Sequence, residues 1–311
     1  MEFLRPATWD DALAAKAAHP AAVPIAGGTD VMVDINFDRC RPTHLIDLTR
    51  IGDLYGWEVG ATRVRLGAAV PYARITARLR GPLPGLALAA DTVGSPQIRN
   101  RGSVGGNLGS ASPAGDCHPA LLAAGAEVEV ASVRGTRLIP IDAFFTGVKR
   151  SALAPDELIR AVRIVRATGP QQFAKVGTRN AMVIAVCAFG LALHPAERRI
   201  GTGIGSAAPT PVRAGAAEEF LGAALAEGDH WTSGRPVPPA VARHFAALVA
   251  DACQPIDDVR GSAAYRRHAV TVLARRALDL AWAEYRATGG DAHRAADGGE
   301  PEGGAPRCAS A

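Results

Sequence analysis

Residues 94 to 117 read Gly94-Ser-Pro-Gln-Ile-Arg-Asn-Arg-Gly-Ser-Val-Gly-Gly-Asn-Leu-Gly-Ser-Ala-Ser-Pro-Ala-Gly-Asp-Cys117, a stretch almost free of large apolar side chains. Most loops in compact domains are shorter than this segment. Its glycines allow positive φ angles and a close approach of the backbone to another group. We therefore expect a long loop that leaves room for something other than protein.

Two explanations fit this composition. In the first, consecutive amides of small residues point into one concavity and hold an anion, and short polar side chains bind sugar or phosphate oxygens. Those side chains are Ser103, Asn107, Ser110 and Ser112. The second explanation is a flexible surface loop or a set of tight turns, the usual fate of Gly/Ser-rich sequence. Arg99, Arg101 and Asp116, together with the helix-like run after Cys117, favour a nucleotide-binding loop, because a passive linker has no need of them.

A second glycine turn occurs earlier in the chain. Pro24-Ile-Ala-Gly-Gly-Thr-Asp30 follows an apolar run and precedes Val31-Met-Val-Asp-Ile35. A strand that runs into Gly27-Gly28 and is followed by a helical turn directs free backbone amides at whatever lies beyond. The two glycine turns are about 75 residues apart and could close on one extended ligand.

Three motifs follow one another in the order of a known family. They are Ala26-Gly-Gly-Thr-Asp30, Gln97-Ile-Arg-Asn-Arg-Gly-Ser-Val-Gly-Gly-Asn107 and Ala111-Ser-Pro-Ala-Gly-Asp116. Together they resemble the FAD-binding subunit of the molybdenum hydroxylases, the group of xanthine dehydrogenase and carbon monoxide dehydrogenase. Pro255-Ile-Asp-Asp-Val-Arg-Gly-Ser-Ala-Ala-Tyr-Arg-Arg-His268 is similar to the family's second domain, so the resemblance spans roughly residues 1 to 285.

The resemblance implies an α+β fold. It places a PCMH-type (vanillyl-alcohol oxidase-like) FAD-binding domain of two α+β subdomains in residues 1–170. A smaller C-terminal domain, with an antiparallel sheet and helices, would follow in residues 171–286. We expect residues 287–311 to be disordered because they are rich in glycine, alanine and charge.

The expected FAD-binding residues come from both glycine turns and from the resemblance: Ile25, Ala26, Gly27, Gly28, Thr29, Asp30, Ser103, Val104, Gly105, Gly106, Asn107, Ser110, Asp116, Ile159 and Lys175. The diphosphate would rest on amides of residues 26–30 and 103–107, an arrangement that binds charge by backbone dipoles without a lysine. No residue is expected to be catalytic or to bind a metal.

Three of these assignments rest on the resemblance alone. It implies that Asp116 binds the ribityl or ring end of FAD, although this carboxylate could also cap the helix that starts near Cys117. It implies that Ile159 lies near the flavin ring and that Lys175 stabilises a reduced, anionic flavin. The alternative for Lys175 is an exposed strand residue. We expect Cys117 to be a packing residue and His118 to be a partly buried polar residue.

Composition excludes several classes of function. The 311 residues are 48% hydrophobic, enough for a sizeable core and two domains. The longest apolar run, residues 181–193, is too short to cross a bilayer, and no export signal begins the chain, so we expect a cytoplasmic protein. The five cysteines form no CxxC pair, which argues against a disulfide framework, a structural zinc site or an iron–sulfur cluster in this chain. A net charge of +4 without a basic, aromatic-rich block does not favour nucleic-acid binding.

Local patterns predict helices at residues 8–18, 31–37, 71–80, 83–91, 118–124, 141–145, 215–226, 239–253 and 262–286. They predict strands at 23–26, 44–48, 158–164, 173–178, 183–193 and 200–206, and hairpins that turn at Gly60 and Gly135. We expect the later strands to form one antiparallel sheet across the join of the two domains. Gly201-Thr-Gly-Ile-Gly205 lacks the last glycine of a dinucleotide fingerprint and predicts a turn at a strand end.

The resemblance implies an electron relay. A large partner subunit would hold the molybdenum cofactor, a small partner would hold two [2Fe-2S] clusters, and FAD in this chain would pass electrons to NAD or another acceptor, within a dimer of heterotrimers. Two alternatives remain: a stand-alone flavin-dependent reductase or oxidase of the vanillyl-alcohol oxidase superfamily, and a nucleotide-binding scaffold. The substrate of the complex (xanthine, an aldehyde, an N-heterocycle or carbon monoxide) and the acceptor (NAD, quinone or oxygen) stay open.

Overall fold

The computed structural model describes the backbone of residues 1–297 and the side chains of residues 1–288. The strands are β1 (Glu2–Leu4), β2 (Val23–Ile25), β3 (His44–Asp47), β4 (Trp57–Val59), β5 (Arg63–Gly67), β6 (Glu127–Ser132), β7 (Gly135–Pro140), β8 (Phe145–Gly147), β9 (Arg150–Ser151), β10 (Leu158–Val165), β11 (Gln171–Val176), β12 (Cys187–His194) and β13 (Arg199–Gly205). The helices are α1 (Trp9–Ala18), α2 (Val31–Asn36), α3 (Tyr72–Arg78), α4 (Pro84–Asp91), α5 (Pro96–Arg101), α6 (Val104–Ser110), α7 (His118–Ala124), α8 (Ile141–Phe144), α9 (Gly215–Glu227), α10 (His230–Ser233), α11 (Pro239–Asp251) and α12 (Ala263–Asp297).

A small parallel sheet begins the chain, with the strand order β1-β3-β2. Helix α1 joins β1 to β2, and it begins where the Thr8 hydroxyl accepts a hydrogen bond from the Asp11 amide at 3.1 Å. Strand β2 ends at Ile25, so the first glycine turn leaves the carboxyl edge of this sheet. The parallel topology therefore decides where that turn points.

A five-stranded antiparallel sheet follows, in the order β4-β5-β10-β6-β7. The predicted hairpins about Gly60 and Gly135 are confirmed as β4–β5 and β6–β7. Across three adjacent strands, Arg65 and Arg163 both bind the buried carboxylate of Glu129, at 2.7 and 2.9 Å. This ionic link holds β10 between β5 and β6, and α6 packs against the same central strand.

The prediction of a single sheet across the domain join is wrong. Strand β10 pairs with β5 and β6, whereas β11, β12 and β13 form a separate three-stranded antiparallel sheet. The chain leaves β10 after Val165 and passes through Gly169-Pro170 before β11 begins. Since proline has no amide hydrogen to donate, the first ladder cannot continue through this segment.

Helix α7 lies on the second sheet, and glycines in β12 and β13 make room for it. A Cβ on Gly201 would overlap the Ala123 carbonyl, and one on Gly203 would overlap the Pro119 carbonyl. The glycine-rich Gly201–Gly205 stretch therefore belongs to strand β13, which confirms the predicted strand at residues 200–206, whereas the prediction of a turn at this stretch is wrong. Its glycines serve helix packing, which sequence spacing alone does not distinguish from a turn.

Two buried apolar clusters result from this arrangement. The first includes Ile46, Leu66, Leu108 and Phe144 and lies under the N-terminal sheets. The second lies between the β11–β13 sheet and helices α9, α11 and α12, and includes Phe189, Leu221, Phe245 and Trp282. Helix α7 contacts both the first cluster, through Leu121 and Leu122, and the second sheet, so it connects the two parts of the molecule.

The expectation of a long loop at residues 94–117 is wrong, because two short helices, α5 and α6, occupy most of it. Each helix begins at a serine cap: the Ser95 hydroxyl accepts from the Ile98 amide at 3.3 Å and the Ser103 hydroxyl from the Gly106 amide at 3.2 Å. Ser caps stabilise helix starts enough to outweigh low intrinsic helix propensity when packing assists.

The C-terminal helix also differs from the prediction. Helix α12 runs from Ala263 to Asp297, past residue 286, where the sequence pattern placed its end. The expected disorder of residues 287–311 stays a prediction. The rest of the predicted tail, residues 298–311, lies outside the described residues. Within residues 1–297, no helix is both long and apolar enough to span a bilayer.

Candidate functional site

A cavity of about 730 Å³ is lined by both glycine turns. This volume lies in the range of about 300–1,000 Å³ that is typical of small-molecule and cofactor sites. The walls come from the turn after β2 and helix α2, from α3 and α6, and from the segment that leads into β10. All of these elements lie in the N-terminal part of the molecule, around the first buried cluster.

The two turns touch through their backbones. A Cβ built on Gly27 would overlap the Arg101 carbonyl and lie 3.1 Å from the Gly102 nitrogen, so only glycine fits at position 27. The adjacent Gly28 has a φ of +76°, which side chains with a Cβ rarely adopt. The prediction that the two turns could close on one ligand thus has a physical basis in direct contact between them.

Five consecutive amides in the first turn are free to bind a ligand. Among the described residues, no acceptor is found for the backbone N–H groups of residues 27–31. Unpaired amides are rare inside proteins, and a run of them facing a cavity is a common way to hold an anion. This turn is therefore the candidate anion-binding element of the cavity.

The second turn contributes differently from the first. The Gly105 amide donates to the Ala68 carbonyl at 3.0 Å, the Gly106 amide to the Ser103 hydroxyl and the Asn107 amide to the Ser103 carbonyl. A Cβ on Gly105 would lie 2.5 Å from the Ala68 oxygen, whereas one on Gly106 would meet only the Ser103 Oγ at 3.4 Å. Helix α6 thus offers the cavity a smooth glycine surface, with its own amides already bonded.

Most of the residues predicted for the site line this cavity: Ala26, Gly27, Gly28, Thr29, Asp30, Ser103, Gly105, Gly106, Asn107, Ser110 and Ile159. Four of the predicted residues do not. Ile25 is half-buried at the end of β2, and Val104 is buried with 1% exposure. Asp116 and Lys175 lie outside the lining as an ion pair.

The ammonium of Lys175 donates to Asp116 Oδ2 at 2.8 Å and also to the carbonyl oxygens of Thr92 (2.8 Å) and Val183 (3.2 Å). Both side chains are nearly buried, with 10% and 12% exposed. Burial raises the pKa of Asp116, and the neighbouring Lys175 charge opposes that rise. Asp116 makes no capping bond to α7. The pair joins the segment between α6 and α7 to strand β11, and the alternative of an exposed Lys175 is wrong.

Cys117 and His118 lie beneath the cavity wall. His118 is completely buried rather than partly buried, and its Nε2 lies 3.2 Å from the Asn107 carbonyl oxygen. Burial lowers the pKa of His118 to about 4, so the imidazole is neutral at physiological pH. Burial also raises the pKa of the Cys117 thiol. Neither Cys117 nor His118 is among the residues that line the cavity.

Sequence reasoning missed several residues of the cavity. Tyr72, Lys16 and Lys149 line it, although each is distant in sequence from the glycine turns. Lys16 is buried and donates to the carbonyls of Pro20 (2.8 Å) and Ala22 (2.6 Å). Lys16 lies in an alanine-rich helix and Lys149 in a short loop, so no local signal marks either lysine.

Two models of known protein families match this chain, one in its N-terminal and one in its C-terminal part. Residues 1–165 match the family model described as the FAD binding domain in molybdopterin dehydrogenase, and residues 172–281 match the CO dehydrogenase flavoprotein C-terminal domain. The first match covers more than half of the 311 residues. The chain belongs to the FAD-binding subunits of the molybdopterin dehydrogenases.

The names of similar proteins agree with this family assignment. The chain is 35% identical over 201 residues to the nicotinate dehydrogenase FAD-subunit of Eubacterium barkeri, covering 62% of this chain and 68% of that protein. It is 30% identical over 268 residues to the carbon monoxide dehydrogenase medium chain of Hydrogenophaga pseudoflava, covering 83% and 88%. A solved structure of carbon monoxide dehydrogenase from that organism matches with a TM-score of 0.80 at 27% identity, over 91% of this chain and 98% of the other.

The cavity of the flavoprotein subunit fits FAD on three independent observations. Its volume suits a dinucleotide, its free amides at residues 27–31 suit a diphosphate, and Gly106 and Gly109 leave the facing wall without side chains. Ile159, with 8% exposure, adds an apolar surface that suits an aromatic ring. The residues that line the cavity are thus compatible with FAD, the cofactor that the family model names.

Proposed function

We propose that this chain is the electron-transfer subunit of a heteromeric molybdenum-containing hydroxylase or dehydrogenase. It would take electrons from [2Fe-2S] clusters of a small partner subunit and pass them to NAD or another acceptor. A large partner would hold the molybdenum cofactor and the substrate. We further propose a cytoplasmic dimer of heterotrimers. The relatives named as FAD and medium subunits support a role within a larger assembly.

One observation carries the proposal: five consecutive amides that have no acceptor among the described residues belong to a turn that lines a dinucleotide-sized cavity. When bound, FAD supplies a redox group that accepts electrons singly or in pairs. The residues of the chain bind and orient it. Residues 27–31 would hold the diphosphate, the α6 glycines would let the dinucleotide lie against the helix, and Ile159 would exclude water from the ring.

Asp116 and Lys175 have a proposed role near the ring end of the cofactor. Their ion pair joins the segment after α6 to strand β11, and Lys175 also holds the carbonyl of Val183. Tyr72 lines the cavity, and its side chain contacts Cys117, the residue that follows Asp116. The ion pair therefore lies close behind the cavity wall. A cation at this place would favour a negatively charged ring, so the pair would influence the redox potential of bound FAD without touching the diphosphate.

The experiment is isolation of the intact assembly from its native host. We expect co-purification with a large and a small subunit, with molybdenum, iron and FAD measured in fixed ratio to this chain. A yellow protein that purifies alone and reduces a substrate by itself would instead support the stand-alone flavoprotein. An assembly in which this chain carries no flavin would contradict the relay.

A further inference from the structure

Lys149 lies at the tip of a two-residue hairpin between β8 and β9, at the wall of the cavity. Its φ is +53°, a left-handed conformation that glycine or asparagine adopts more readily. A lysine at this position costs conformational energy that glycine would avoid. The hairpin nevertheless places a lysine side chain, 59% exposed, at the cavity.

The ammonium of Lys149 is not engaged in a hydrogen bond among the described residues. Its nearest carboxylate oxygen is Asp34 Oδ2 at 3.9 Å, beyond hydrogen-bonding distance. Asp34 is also 3.7 Å from Arg39, again a loose pair. The other lysine of the cavity, Lys16, is bound to two backbone carbonyls. Lys149 is therefore the cavity lysine whose charge can move to a ligand.

The charges at the cavity wall favour such a movement, and the Lys16 ammonium at the same wall is already bound to two backbone carbonyls. Asp30 and Asp34 each bring a negative charge to the wall that also carries the free amides, while Glu157 is paired with Arg137 at 2.7 Å. A diphosphate adds about two more negative charges at neutral pH. Backbone amides offset part of this charge, but the two aspartates oppose it. The Lys149 ammonium, at the same wall, offsets part of this excess of negative charge.

We propose that Lys149 binds the diphosphate of the FAD, exchanging its loose contact with Asp34 for a phosphate oxygen. Asp34 then competes with the phosphate for the Lys149 ammonium. It keeps the ammonium near the site when no phosphate is bound. This inference rests on the proposed function, since it requires FAD in the cavity. It differs from the sequence expectation of a diphosphate held by backbone dipoles without a lysine.

The test is FAD affinity, measured by flavin fluorescence as FAD is titrated into the full chain after its flavin has been removed. We expect Lys149→Gln to weaken binding about tenfold at low salt, the size of a lost charge-assisted hydrogen bond. The loss should shrink at high salt because part of it is screened. Lys149→Arg should retain most of the affinity. Arg150→Gln, on the same hairpin but outside the cavity lining, is the matched control and should change little.

A variant with the opposite sign separates this proposal from a general loss of structure. Asp34→Asn removes the competing charge and should tighten FAD binding severalfold at low salt, because like charges near a phosphate weaken binding. Unchanged affinity in Lys149→Gln, an equal loss in Arg150→Gln, or weaker binding in Asp34→Asn would each overturn the proposal. If the wild-type chain itself binds no FAD, the proposed function fails instead.

Discussion

Gly27 and Arg101 are in contact through their backbones, with the Gly27 Cα directly against the Arg101 carbonyl. Gly27 lies in the turn after β2, and Arg101 is the last residue of α5, next to the short link from α5 to α6. Their contact brings the free amides of the first turn to face the glycine surface of the second. Any side chain at position 27 must therefore separate the two walls of the cavity.

Gly27→Ala should destabilise the chain by about 1–3 kcal/mol, the usual cost of overpacking, and should lower the FAD content of the purified protein. Urea denaturation and the ratio of flavin to protein absorbance measure the two effects. Gly222→Ala in α9 is the control, because nothing lies within 4 Å of a Cβ there. It should be neutral or stabilising by up to about 1 kcal/mol. A Gly27→Ala protein as stable and as yellow as wild type would show that the contact is unimportant.

Gly106→Val should abolish FAD retention while the protein stays folded. A Cβ at this position meets only the Ser103 Oγ at 3.4 Å, so the side chain extends into the cavity rather than into the core. Flavin absorbance after gel filtration measures retention, and circular dichroism checks the fold. Tight, stoichiometric flavin in this variant would mean that α6 is not the wall on which the cofactor lies.

Lys175→Met should destabilise the chain by about 3–5 kcal/mol, since it leaves the Asp116 carboxylate buried without its partner. The double variant with Asp116→Asn should recover much of this loss, which a double-mutant cycle by chemical denaturation would measure. Arg80→Met breaks the exposed pair with Asp91 and is the control, with an expected cost below about 1 kcal/mol. Equal losses for the buried and exposed pairs would contradict the assigned burial.

His118 should make the chain less stable in acid. Its pKa is about 4 when folded and 6.5 when unfolded, so the unfolded state binds the proton more readily. The stabilising contribution is complete above pH 6.5 and is lost as pH falls towards 4, by up to about 3 kcal/mol. His118→Gln should remove this part of the slope of unfolding free energy between pH 7 and 4. An unchanged slope would show that His118 does not titrate between the two states.

Much of the site was predictable because its residues are contiguous in sequence. Residues 26–30 follow a strand, and residues 103–107 begin with a serine that can cap a helix. Small residues at such places leave space for a ligand. The resemblance supplied FAD as the ligand and pointed to Ile159, which lines the cavity, and to Lys175, which lies outside the lining. Element types were also predictable where local signals are strong, as in α1, which begins at the Thr8 cap and continues with strong helix formers.

Other features could not be predicted, because they depend on partners distant in sequence. Whether 94–117 is a loop or two capped helices depends on the surface that receives α6, including the Ala68 carbonyl. The glycines at 201 and 203 look like a turn until α7 is seen lying on them. Lys149 lacks any sequence signal, since its nearest cavity carboxylate is Asp34 on another element.

The amino-acid sequence alone determined which segments must approach a ligand: glycines at 27, 28 and 106 have no Cβ, and no other residue gives the backbone that freedom. The tertiary structure decided which amides stay free and which charges share the cavity. The amides of residues 105–107 donate to the Ala68 carbonyl and to Ser103, while those of residues 27–31 find no acceptor among the described residues. Pairing and charge balance are properties of atoms close in space, and spacing along the chain does not specify them.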